Sequence, residues 1–255
     1  MNANRFKLTI AYDGRPFKGW QSQPSGNTIQ DHLLAAARLI HPDIGPIRGS
    51  GRTDSGVHAI GQVAHFDAPA ELSLDSDAWV RALNTKLPRT IRVMSCEAAS
   101  PDFHARFDAR EKTYRYEIFT GPVLPPLRVG LAWHVRKIID QQLLTDALAM
   151  FEGRHDFAAF AANRRDPDSN PEDKHRTIFS ATIEAVGEDL SFVFTGDGFH
   201  YKMVRLIVGA IVKTGQGRLS LAELASLIAN ESNGAVKSPL AAPADGLTLV
   251  KVIYS

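Results

Sequence analysis

A single cysteine, Cys96, stands in the 255 residues, which excludes an internal disulfide and suits a reducing compartment. It lies in an apolar, strand-like run and reads as a small buried side chain rather than a nucleophile. An excess of one charge is also missing: 29 lysines and arginines face 28 aspartates and glutamates, a net +1. Nucleic-acid binders commonly carry a basic excess, so any surface for RNA must come from local clustering. Long apolar runs are absent too. The longest wholly apolar-or-glycine stretch, Leu206 to Val212, is far too short to span a bilayer, and Met1 to Tyr12 has no apolar core of a secretion signal. A soluble, cytoplasmic protein with no membrane partner is predicted. At 44% apolar and 22% charged residues, the composition is that of a globular chain with a sizeable core, in one large domain or two smaller ones.

Familiar cofactor motifs fail as well. Gly51 and Gly56 have the glycine spacing of a P-loop, but Val57-His58 follows in place of the Lys and hydroxyl that meet phosphate and magnesium. A dinucleotide fingerprint needs different glycine spacing. His58 and His65 fit no recognised metal-ligand spacing and have no thiolates beside them. What is present instead is the stretch Gly49-Ser50-Gly51-Arg52-Thr53-Asp54-Ser55-Gly56-Val57-His58-Ala59, set between strand-like segments. Its glycines and its Thr-Asp-Ser run suit a tight loop. An arginine, a carboxylate and a histidine between Arg52 and His58 are more ionisable chemistry than a turn needs, and loops held by strands are where sites sit.

The element pattern is duplicated. Phe6 to Tyr12 reads as a strand. Thr28 opens a helix with apolar residues at Ile29, Leu33, Ala36, Ala37 and Ile40, stopped by Pro42. Ile47 to Arg52 and Gln62 to Asp67 are strands around the loop; a helix over Asp75 to Leu87 and a strand over Ile91 to Glu97 follow. In the second half, Lys112 to Thr120 is a strand, Trp133 to Val135 a short extra one, and Asp140 caps a helix ended by Gly153. Arg176 to Val186 and Leu190 to Gly196 form a hairpin. Phe199 to Thr214 is a helix, Ser220-Leu221-Ala222-Glu223 is a capping box for another, and Leu247 to Tyr254 closes the chain as a strand. Each half has the order β-α-β-β-α-β, so the expected class is α+β, with two ferredoxin-like halves over 1–105 and 106–255.

Gly51-Arg52-Thr53-Asp54-Ser55-Gly56-Val57-His58-Ala59 closely resembles the active-site motif of the tRNA pseudouridine synthase A family, Ser55 standing where alanine is common. Tyr12-Asp13-Gly14 with Phe17-Lys18-Gly19-Trp20-Gln21, Thr28-Ile29-Gln30, Phe103-His104-Ala105-Arg106-Phe107, Met203-Val204-Arg205 and Pro243-Ala244-Asp245-Gly246-Leu247 are similar to further motifs of that family, across nearly the whole chain. The resemblance implies largely antiparallel sheets running together, with an active-site cleft between the halves. It also implies conversion of uridines 38 to 40 in the tRNA anticodon stem-loop to pseudouridine by a homodimer, with base flipping and without metal or other cofactor. Asp54 matches the nucleophile.

Three further residues carry expectations. Tyr114 and Tyr116 alternate on one strand face and read as core by spacing, but the resemblance implies that Tyr114 stacks on the target base. Arg205 begins an all-apolar helix, where an unpaired guanidinium is costly; the resemblance implies an ion pair with the catalytic carboxylate. Arg52 is a loop arginine that could contact phosphate or fill the place of a vacated base. The polar loop Asn163 to His175 departs from the family pattern. Two rival readings are a non-catalytic RNA-binding protein, for which no RNP1-like run is found, and a cofactor-free hydrolase or lyase using Asp54 and His58.

Overall fold

The computed structural model describes residues 3–136, 140–162, 173–231 and 234–254. Most of the polar loop Asn163 to His175 therefore lies outside the described residues. The chain forms two compact units, residues 1–110 with 248–255, and residues 111–247.

In the first unit, β1 (Ala3–Tyr12), α1 (Ile29–Arg38), β2 (Arg48–Gly49), β3 (His58–Pro69), α2 (Ser76–Lys86) and β4 (Ile91–Ala99) follow the expected β-α-β-β-α-β order. Both helices start where short polar side chains can receive orphan amide protons: Thr28 accepts from the Asp31 amide, and Asp75 from the Ala78 amide. β1 lies between β3 and β4, antiparallel to both. Alternation puts Leu8 and Ile10 in the core with Leu33, Ala37 and Leu83 from the helices. Phe6, Phe66 and Trp79 pack ring against ring at 5.1–5.7 Å. Cys96 is buried there, and burial pushes its thiol up to about 12, which keeps it protonated and unreactive.

β2 is shorter than the strand expected over Ile47 to Arg52. It pairs with β3 only at Arg48↔His65 and Gly49↔Ala64. The same edge of β3, nearer its start, is taken by the closing strand β10 (Leu247–Tyr254), parallel, with Thr248↔His58 and Leu249↔Ala59. Gly61 permits the approach, since a Cβ there would meet the Val250 carbonyl at 2.2 Å.

The second unit contains β5 (Ala109–Phe119) from Glu111 onward, β6 (Trp133–His134), α3 (Gln141–Ala149), β7 (Gly153–Asp156), β8 (His175–Val186), β9 (Asp189–Gly196), α4 (Met203–Gly215) and α5 (Leu221–Ile228). β9 pairs antiparallel with β5 and β8, and β8 antiparallel with β7. Asp140 and the Ser220–Glu223 capping box start α3 and α5 as expected. α4 starts at Met203, not Phe199. Lys202 has φ +61°, a left-handed conformation that cannot continue a helix, and Phe199 packs edge-on against Tyr114 at 5.1 Å instead of serving as a helical position. The strand β7 and the 3-10 turn Phe157–Phe160 that follows it were not expected.

Candidate active site

The loop from Ser50 to Val57 is held by a set of polar contacts, all within the first unit. Ser50 and Gln62 are fully buried; the Ser50 hydroxyl donates to Gln62 Oε1 at 2.7 Å, and Gln62 Nε2 donates to the Gly51 carbonyl at 3.0 Å. Tyr12, buried at the end of β1, shares a 2.8 Å hydrogen bond with the Thr53 hydroxyl. Burial pushes the Tyr12 phenol up to about 12, so it remains a neutral hydrogen-bonding group. Burying such groups is tolerable because each is satisfied.

Residues 13–20 form the seat beneath the loop. The Trp20 amide donates to the Thr53 carbonyl at 3.0 Å, and the Ser55 hydroxyl to the Phe17 carbonyl at 3.0 Å. Two glycines make the contact possible. A Cβ on Gly14 would sit 2.0 Å from the Val57 carbonyl oxygen, and one on Gly19 would sit 2.6 Å from that of Thr53, where φ is also +88°. Asp54 opens a turn closed by the Val57 amide at 3.1 Å, with Gly56 at φ +83° in the third position, as a type II turn requires. His58 is buried; its Nδ1 accepts from the Gly14 amide at 3.2 Å and lies 3.4 Å from Asp13 Oδ1. His58 is thus built into the seat. Arg15 holds the Asp13 carboxyl below its ordinary value by hydrogen bonding. This leaves Asp54 half-buried on a braced turn, and Arg52 half-buried two residues away with Nε donating to Gln21 Oε1 at 3.1 Å.

Tyr114 and Arg205 belong to the second unit. Tyr114 and Tyr116 share the inner face of β5, but they differ. Tyr116 is fully buried and its hydroxyl donates to the Pro243 carbonyl at 2.7 Å. Burial raises the Tyr116 phenol, opposed by the charge of nearby Arg205. Tyr114 keeps 8% of its surface. Arg205 lies in the first turn of α4, where its Nε donates to the Ala242 carbonyl at 2.7 Å and its own carbonyl accepts from the Ala242 amide at 2.9 Å. The segment through Pro243 and Gly246 is held over β5 by the Glu117 amide, which donates to the Gly246 carbonyl at 2.8 Å.

The tight loop expected between the strands is present, with Asp54 opening its turn and Arg52 two residues before it. Sequence reasoning overlooked the buried Ser50–Gln62 pair, the Tyr12–Thr53 bond and the role of Gly14 and Gly19. One signal was available: Gln62 is a polar residue in an otherwise apolar strand, which calls for a buried partner.

The family model described as tRNA pseudouridine synthase matches residues 8–108 and 147–255. Curated relatives named tRNA pseudouridine synthase A include one from Akkermansia muciniphila, 50% identical over 98% of this chain and 95% of its own length. Others come from Methylacidiphilum infernorum, 42% identical over 98% and 95%, and from Geobacillus kaustophilus, 41% identical over 98% and 94%. Agreement of this breadth, covering both units and the Asp54 loop, establishes that the chain belongs to the tRNA pseudouridine synthase A family, whose members are isomerases.

Proposed function

We propose that this chain isomerises uridines at tRNA positions 38 to 40, in the anticodon stem-loop, to pseudouridine, with Asp54 as the nucleophile. The observation that carries the reading is the bracing of the Asp54 turn. Its neighbours Thr53, Ser55 and Val57 are each bonded to, or in contact with, the 12–20 segment, so the carboxylate is presented by a rigid loop. Precise presentation of a nucleophile is a main contribution a protein can make to such chemistry.

The reaction breaks the C1′–N1 bond, turns the uracil and joins C1′ to C5. The C5 proton leaves and N1 takes one up, so substrate and product are isomers and no redox partner or cofactor is needed. A stacked or paired uridine hides the bond to be broken, so the nucleotide is flipped out at a cost of a few kcal/mol. Arg52, on the same loop as Asp54, is assigned to the RNA around the vacated position. Tyr114 and Arg205 are assigned to substrate binding, Tyr114 through its ring and Arg205 through its charge. Of the two β5 tyrosines, Tyr116 is fully buried whereas Tyr114 keeps 8% of its surface, which favours Tyr114 for the base. The proposal is completed by a homodimer, as the resemblance implies, working in the cytoplasm, as the single cysteine suggests.

The test uses tRNA carrying tritium at uridine C5. Wild-type protein releases tritium, and mass-spectrometric mapping places the product at positions 38 to 40. Asp54→Asn, folded and binding tRNA, releases none above background. Release at the wild-type rate by that variant removes Asp54 from the mechanism, and products mapped elsewhere overturn the site of action.

A further inference from the structure

The turn from Phe103 to Asp108 presents an aromatic group that the proposed chemistry does not use. Phe107 is 67% exposed. One face is backed by the His104 ring, stacked at 4.3 Å with 28° between planes, and the Arg106 guanidinium lies 5.7 Å from the Phe107 ring centre. An exposed phenylalanine on a mobile loop would mean little, but this turn is rigidly built. His65, buried on β3, accepts the Ala105 amide at Nδ1 (3.1 Å), and His104 Nδ1 faces the amides of Arg106 (3.2 Å) and Phe107 (3.3 Å). Three consecutive amides are thus aimed at two imidazoles. The Asp108 carboxylate accepts from the His104 amide at 2.8 Å, closing the turn from its far end. Below it, Arg5 binds Asp67 and donates to the carbonyls of Pro101 and Phe103.

The surroundings are basic. Arg48, exposed on β2 and paired with His65 across the sheet, acts electrostatically on both His65 and His104, as does Arg5, and Arg106 acts on His104; the carboxylates that oppose them are Asp67 at His65 and Asp108 at His104. Both imidazoles are held below their ordinary protonation range, chiefly by burial, so they are neutral near pH 7 and the turn keeps its acceptors. A preorganised aromatic ring with one guanidinium over it and a second arginine beside the imidazoles that support it is the chemistry that receives a nucleobase on the ring and its phosphate on the cations. Arg48 and Arg52 are four residues apart, so their Cα atoms are separated by no more than about 14 Å. One folded RNA can therefore meet the platform and the Asp54 loop together.

We propose that Phe107, backed by His104, with Arg106 beside it and Arg48 next to His65 beneath the turn, is a stacking platform for an unpaired base of the tRNA substrate other than the uridine that reacts. The proposal rests on tRNA being the substrate, and it does not depend on Asp54 being the nucleophile.

The experiment compares wild type, Phe107→Ala and Phe107→Tyr with a tRNA transcript, measuring the Kd by filter binding and the pseudouridine yield over time. Phe107→Ala is expected to weaken tRNA binding about 5- to 100-fold and raise KM, while kcat at saturating tRNA stays near wild type. Phe107→Tyr, which keeps the ring, restores the affinity. Because the side chain is mostly in solvent, both variants should keep the wild-type melting temperature. Unchanged tRNA affinity in Phe107→Ala overturns the platform. So does a changed sedimentation coefficient with unchanged tRNA affinity, which makes the face a protein contact. If wild type itself makes no pseudouridine, the functional reading fails, and that outcome is distinct from failure of the platform.

Discussion

At the scale of single residues, most of the buried polar side chains of the first unit hold two short turns. Tyr12, Ser50, Gln62 and His58 brace the Asp54 loop, while His65 and His104 brace the turn after β4. His65 carries a pH dependence whose sign can be worked out. Burial is the main cause that lowers it from an ordinary 6.5 to about 4. Between those values the unfolded chain binds the proton and the folded chain does not, so folded stability is full above about pH 6.5 and declines as pH falls toward 4. The carboxylates of Asp13, Asp31 and Asp67 are lowered below 3.8, so their losses come at more acid pH. The urea midpoint should therefore fall between pH 7 and pH 5. His65→Asn, which keeps an acceptor for the Ala105 amide but cannot titrate, should flatten that decline. Some slope will persist, because burial also brings His200 down to about 4. An identical slope in His65→Asn would falsify the assignment.

At the scale of elements, α4 and the segment that crosses it show why glycine at a helix centre can be obligatory. Gly209 costs the helix about 1 kcal/mol relative to alanine by propensity alone. A Cβ there would lie 1.9 Å from the Leu240 carbonyl oxygen, too close for any relaxation confined to side chains. The crossing segment is bound to α4 on both sides of that contact: the Ser238 hydroxyl donates to the Leu206 carbonyl at 2.8 Å, and Arg205 and Ala242 bond reciprocally. Gly209→Ala is thus expected to destabilise the protein by about 1–3 kcal/mol, overpacking outweighing the propensity gain, and to lower pseudouridine formation by shifting Arg205. A denaturant melt with a parallel tritium-release assay checks both, and a more stable variant would contradict the account. The start of the same helix misled the periodicity. Phe199 and Met203 are four apart and both apolar, a helical spacing, yet Phe199 is used against Tyr114 and the backbone reverses at Lys202.

At the scale of the molecule, the first unit is assembled from both ends of the chain. β2 is only two residues long and leaves most of one edge of β3 uncovered; β10 occupies part of it beside His58, at the exit of the Asp54 loop. Residues 1–110 expressed alone should therefore lack a cooperative thermal transition or melt well below the intact protein, and fusing residues 247–255 through a flexible linker should raise the transition. Equal melting with and without the added strand would show that β10 is dispensable to the unit. The helix starts at Thr28, Asp75, Asp140 and Ser220, the alternation of β1 and the tight turn at Asp54 were all legible in the chain, because capping, periodicity and turn residues act over a few positions. The burial of Gln62 against Ser50, the need for glycine at 14, 19 and 209, and the pairing of β10 with β3 were decided only by the tertiary structure. Each depends on backbone atoms brought together from distant parts of the chain, and neither propensity nor periodicity carries a record of such a partner.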